Sequence, residues 1–199
     1  MPRLSAFYNA HPDIALDIQP TSKRINTSAD DYDLLIRYTD EHAPIDDHII
    51  VKVTDAHLSP VCNAEIHAYW LQHNALPPGV PLLEDALNHG HQWRNWFRQY
   101  PSPDLLEKCS VMRFDLQSQL YEPALSGHGV ALCMLEMLSN DIAQGQLHRL
   151  FPDQQLATTS QMLAIYPEDA PREAVIERFL DWMVNAAETN NPIVQKDAQ

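Results

Sequence analysis

Three short groups of residues in this sequence have the types and spacing to hold a small polar molecule. Asp115, Leu116, Gln117 and Ser118 follow the run Val111-Met112-Arg113-Phe114, so a carboxylate, an amide and a hydroxyl stand where a strand ends and a helix begins. Two roles are open to Asp115. As an N-cap it accepts hydrogen bonds from unpaired helix N–H groups. Together with Gln117, Ser118 and those first N–H groups, it also makes a surface for a polar or anionic metabolite. Arg37-Tyr38 closes the short apolar run that begins at Asp33, and its guanidinium suits a ligand carboxylate. A weak surface pair with Asp31, Asp33 or Asp40 explains it equally well. Thr159 and Ser160 add hydroxyls just before the run Met162–Pro167, where solvent alone would satisfy them.

Covalent and metal chemistry fare worse. His89-Gly90-His91 beside Glu84 and Asp85 could offer two ligands, but the sequence places no third and fourth, so neither a metal nor a cofactor is expected. Gly127-His128-Gly129 with Cys133 lacks the Gly-x-Ser-x-Gly form, and Cys133 falls in an apolar run where a thiol is buried and inert. No nucleophile or acid–base pair can be assembled, which points away from an enzyme.

The elements that must position these groups are legible around residues 110–151. A strand over 111–114 leads into a helix with Leu116, Leu120 and Ala124 on one face, closed by Gly127 in a left-handed conformation. Pro123 falls inside that helix, so it either kinks or splits into two short pieces. Residues 129–134 form a second apolar strand, and Leu135, Leu138 and Ile142 mark a helix ending at Gly145. Such alternation implies parallel strands with crossover helices, whose ligands bind beyond the carboxyl ends of the strands.

Elsewhere the pattern predicts a helix over the first ten residues and a strand through Ile14, Leu16 and Ile18. A polar loop follows over Thr21–Asp31. Strands are expected over 33–38, 48–54 (as an edge), 82–87 and 162–167, with helices over 65–73 and 92–97. A last helix has Pro171 in its first turn and an apolar stripe of Val175, Ile176, Phe179, Leu180 and Met183. Trp93, Trp96 and Phe97 face the core, though Trp93 could stack on a ligand. From Glu188 onward the tail is polar.

A chain of 199 residues, 45% hydrophobic, can bury a sizeable core. Its 13 basic and 27 acidic side chains give a formal charge of −14, which repels phosphate backbones and anionic membranes. No run approaches the ~20 apolar residues of a membrane span, and no leader-like segment opens the chain. A cytoplasmic protein is expected. Cys62, Cys109 and Cys133 are odd in number and sit among apolar neighbours, which suits reduced packing thiols.

Several stretches carry a family resemblance. Phe114-Asp115, Ala124–Leu132 and Asn140–Leu147, in that order and spacing, resemble the effector-binding domain of LysR-type transcriptional regulators, in the branch of glycine-cleavage and β-lactamase regulators. Pro2–Phe7 with His11–Ile14 resembles the family's first helix and the strand after it. Asp33–Tyr38 is similar to "DLAIRYG" with Thr39-Asp40 where glycine is commoner, Leu58–Cys62 to "LVPVCSP", and Met162–Pro167 to the return crossing.

The resemblance implies an α/β, two-lobed, periplasmic-binding-protein-like (type II) domain, each lobe a mainly parallel sheet flanked by helices, with crossings near 60–63 and 160–163. Lobe I would comprise 1–61 and 162–187, lobe II 62–161, and the tail 188–199. Ligand capture between the lobes would involve Asp115, Leu116, Gln117, Ser118, Arg37, Tyr38, Thr159 and Ser160, and no cofactor. The family's first apolar strand, with its Ser/Thr turn, precedes the point where this chain starts, so lobe I is expected to lack it. No winged helix-turn-helix is present, so direct nucleic-acid binding is not expected. The partners implied are a small-molecule effector and a second copy or a full-length LysR-type regulator; a non-functional gene fragment is the alternative. Pro123, atypical for the family, falls on a helix that commonly contributes to the dimer.

Overall fold

The computed structural model describes residues 4–20, 32–39, 45–86 and 92–188. It divides into two compact units, residues 1–55 with 159–199, and residues 56–158. These divisions fall a few residues before the crossings expected near 61 and 161. The loop expected over 21–31, Asp40, Leu87, His89-Gly90-His91 and the tail beyond 188 lie outside the described residues.

In the first unit, α1 (Leu4–Ala10) packs through fully buried Phe7 against α7 (Glu173–Glu188). The Phe7 ring meets Phe179 edge-on at 5.0 Å and Trp182 at 5.3 Å. The stripe expected on α7 is the face used: Ile176 and Leu180 are buried with Val53, Ala164 and Tyr166. Pro171 lies two residues ahead of α7, whose entry is marked by the Arg172 carbonyl accepting from Val175 and Ile176. Strand β1 (Leu35–Thr39) runs antiparallel to β7 (Leu156–Pro167), from Leu35 opposite Ile165 to Thr39 opposite Gln161. Strand β2 (His48–Cys62) lies on the other side of β7.

Two expectations for this unit are corrected. The strand expected over 48–54 runs on through Cys62 as one continuous 15-residue element. Residues 14–18 form no strand: Ile14 is buried but Ile18 is 43% exposed, because no described strand offers this segment a hydrogen-bonding ladder. Alternation of apolar residues makes a strand possible; pairing makes it form.

The second unit holds the rest of β2, then α2 (Ala64–His73), β3 (Leu82–Asp85), α3 (Gln92–Gln99), α4 (Pro103–Lys108) and β4 (Val111–Phe114). A 3-10 helix (Gln117–Leu120), α5 (Tyr121–Leu125), β5 (Val130–Met134), α6 (Leu135–Ala143) and β6 (His148–Arg149) follow. The sheet order is β2-β5-β3-β4, with β6 on β2. Strand β3 is parallel to both β4 and β5, whereas β2 is antiparallel to β5 and β6. The sheet is therefore mixed, and the expectation of a mainly parallel sheet in each lobe holds only for β4-β3-β5, the strands joined by helical crossovers.

Burial on both faces explains the unbroken apolar run of β5 and the Leu82-Leu83 start of β3. Leu82, Val130 and Leu132 point into a core with Trp93, Trp96 and Phe97. Their neighbours Leu83, Ala131 and Cys133 point the other way, onto Leu120, Ala124 and Leu138. Asn63 caps α2, its side-chain oxygen accepting from the Ile66 N–H at 3.0 Å. The six-residue α4, with Pro103 at its start and buried Leu105, was not anticipated.

Candidate functional site

Strands β3 and β4 run in register, with Glu84 beside Arg113 and Asp85 beside Phe114, while β5 aligns Val130 with Leu82. Their carboxyl ends therefore share one edge of the second unit, and the turn Asp115–Ser118 emerges there. The Phe114 carbonyl accepts from the Ala86 N–H at 2.7 Å, which fastens the start of the turn to the end of β3.

The turn differs from the expected capped helix. Pro123 divides the segment: a four-residue 3-10 helix is followed by a five-residue α5, so the second of the two alternatives holds. Proline sits in the first turn of α5, where its missing N–H has no intrahelical acceptor to lose. The N-cap position belongs to Leu116, not Asp115, and the cap is provided from within the helix. Gln119 Oε1 accepts from the Leu116 N–H at 3.1 Å, and the Leu116 carbonyl accepts from the Gln119 N–H at 3.0 Å. Asp115 and Ser118 are left exposed, and Leu116 and Gln117 half-buried. The amides of Gln117 and Ser118, first in the helix, have no intrahelical acceptor.

Gln117 ties the turn to the sheet by donating from Nε2 to the Leu132 carbonyl at 3.3 Å. Its Oε1 is buried and has no hydrogen-bond partner among the described residues. Behind the turn lies a polar group that sequence reasoning considered only for metal binding. Glu84 is 1% exposed; its Oε2 accepts from the Trp93 N–H at 3.1 Å and its Oε1 from Arg113 Nε at 3.0 Å. Asp85, also buried, accepts at Oδ2 from Gln92 Nε2 at 3.1 Å. A buried carboxylate seated on a helix N-terminus is stabilised by that terminus. Two acidic residues inside an otherwise apolar strand were the available signal. Trp93 itself is 2% exposed and donates from Nε1 to the Leu83 carbonyl at 2.9 Å, so its role is in the core.

Arg37, Tyr38, Thr159 and Ser160 belong to the first unit. Arg37 and Tyr38 stand opposite Leu163 and Met162 in the β1–β7 ladder. Ser160 precedes Gln161, the partner of Thr39, so Arg37 and Ser160 are roughly 10 Å apart along the strands. Of the acidic partners weighed for Arg37, Asp33 instead meets Arg172 at 3.3 Å, and Asp31 and Asp40 lie outside the described residues.

Cys133 is 4% exposed, and burial, with a smaller contribution from Asp85, pushes its thiol up to about 12. A thiolate nucleophile needs the opposite shift. Among the described residues no helix is long and apolar enough to cross a membrane.

Comparison with known proteins gives the same fold. The solved effector-binding domain of AmpR from Citrobacter freundii superposes with a TM-score of 0.68 at 22% identity, over 94% of this chain and 90% of that one. Among curated sequences, the transcriptional activator AmpR of Rhodobacter capsulatus is 29% identical over 185 residues, covering 92% of this chain and 60% of its own length. The glycine cleavage system transcriptional activator of Escherichia coli K12 is 26% identical over 190 residues, covering 94% and 60%. The chain thus spans about three fifths of the length of these relatives, which are transcriptional regulators. The LysR substrate-binding domain model matches residues 1–188, and the chain belongs to that family.

Proposed function

We propose that this chain is the ligand-sensing and dimerisation module of a LysR-type regulator, binding a small polar metabolite in the cytoplasm and passing its presence on to transcription. The observation that carries this reading is the position of Asp115–Ser118 beyond the shared carboxyl ends of β3, β4 and β5, where α/β sheets take their ligands. The buried, unpartnered Oε1 of Gln117 offers an acceptor there. Asp115 and Asp85 make this wall acidic, and Arg113 is already engaged by Glu84. On the first unit, Arg37, whose guanidinium suits a carboxylate, is the candidate recognition group, with Tyr38, Thr159 and Ser160.

Binding biases a two-state element only to the extent that the ligand prefers one state. The partner in signalling is a second copy of the chain or a full-length regulator of the same family. Calorimetric titration with amino acids and cell-wall peptide fragments tests the sensor. One of these should bind saturably, and Ser118→Ala and Arg37→Met should each weaken it about tenfold. If no member of the panel binds or raises the unfolding temperature, the sensor reading is wrong. Co-purification with a full-length relative tests the pairing, and a strictly monomeric chain without a partner would refute it.

A further inference from the structure

A cavity of about 350 Å3 opens in the second unit away from the candidate turn. Helix α3 separates the two: its first turn is seated on Glu84 at the carboxyl end of β3, and its far end, about 12 Å along the axis, lines the cavity. The volume is at the small end of the ligand-pocket range, roughly 300–1,000 Å3.

The walls are aromatic and amide-bearing. Trp70 and Phe151 meet edge to face with ring centroids 5.3 Å apart. The Tyr100 hydroxyl donates to the Gln155 carbonyl at 2.8 Å, which holds that part of the wall in place. Asn74, Ser102 and Gln154 also line the space, and their side chains form no hydrogen bond among the described residues. Behind the wall, fully buried Trp96 stacks on Phe151 and meets Tyr100 with the rings tilted by 44°, and its indole N–H has no acceptor among the described residues. Among the described residues no Lys, Arg or His lines the cavity, and the one carboxylate there, Asp104, is paired with Lys108 at 2.8 Å.

We infer that this cavity binds a small, neutral, hydroxyl-rich ring compound of the saccharide type. Aliphatic C–H faces of such a ring pack on Trp70 and Phe151, while its hydroxyls exchange hydrogen bonds with Asn74, Ser102 and Gln154. An anion would meet no cation on the wall, in a chain of formal charge −14. A cation would find only Asp104, an exposed carboxylate already paired with Lys108. The site is independent of the effector turn, so either can fail without the other.

The test is a titration of the full chain with methyl α-glucoside, followed by the indole N–H signals of its four tryptophans in proton–nitrogen correlation spectra. Trp70 and Trp96 should shift saturably. Trp93, bonded to Leu83, and Trp182 of the first unit should not. Asn74→Gly suits the left-handed backbone at φ 49° while removing the amide, and should weaken binding about fivefold, or about 1 kcal/mol. Gln154→Ala should act similarly. The inference is overturned by the absence of a saturable shift, by all four signals moving together, by glucuronate or choline binding as well as the glucoside, or by both variants binding like the parent chain.

Discussion

His57 Nδ1 stands 2.7 Å from a carboxylate oxygen of Glu136, and the backbone N–H of His57 donates to both oxygens of the same group at 3.1 and 3.2 Å. The pair joins β2, one residue beyond the start of the second unit, to the first turn of α6. Both side chains are less than one-fifth exposed, so these bonds are shielded from water. Glu136→Ala should destabilise the chain by about 1.5–3 kcal/mol in urea unfolding. His57→Ala should cost less, because the backbone donor remains. Fully additive losses in the double variant would show that the two side chains do not interact.

Gly127 and Asn63 form a second coupled pair. Gly127 has φ +76°, and a Cβ built there would stand 2.6 Å from Asn63 Nδ2. Gly127→Ala therefore strains the backbone and displaces the cap of α2, for a combined loss of about 2 kcal/mol. In an Asn63→Ala background the same substitution should cost about half as much. Equal costs in both backgrounds, read from thermal or urea unfolding, would disprove the coupling.

Asp13 links stability to acid. The backbone hydrogen bond to its carboxyl, and then Arg178 Nη1 at 3.2 Å, hold it below its ordinary value of 3.8. The folded form binds this proton less readily than the unfolded form. Its contribution is present above pH 3.8 and is lost as pH falls through the lower folded value. Asp13→Asn should flatten the acid limb of the stability profile below pH 3.8 while leaving the neutral region little changed, since the pair is exposed. An unaltered acid limb would rule this linkage out.

The thiols should report folding. Burial pushes Cys62 and Cys133 up to about 12, and raises half-buried Cys109 as well. Iodoacetamide at pH 8 should modify Cys109 first, and the other two only upon unfolding, because the thiolate is the reactive species. Rapid labelling of Cys133 in the native chain, detected by peptide mass spectrometry, would contradict its burial.

Local pattern determined much of this protein. The strands at 82–85 and 130–134, the helical spacing of Ile176 and Leu180, and the left-handed ends at Gly127 and Gly145 are properties of neighbours along the chain, and the structure contains each of them. The turn after Phe114 was legible for the same reason, since a strand end followed by polar residues is a local signal. Tertiary structure alone decided which elements pair and in what direction. The strand pattern at 14–18 finds no ladder, and β2 runs on to Cys62, well past the pattern at 48–54, and joins β5 antiparallel. It likewise placed Glu84 under α3, gave the cap at Leu116 to Gln119, and brought His57 to Glu136 across 79 residues. Hydrogen-bond partners and burial depend on groups far apart in the chain, so side-chain periodicity, which records only which face each residue takes, carries no trace of them.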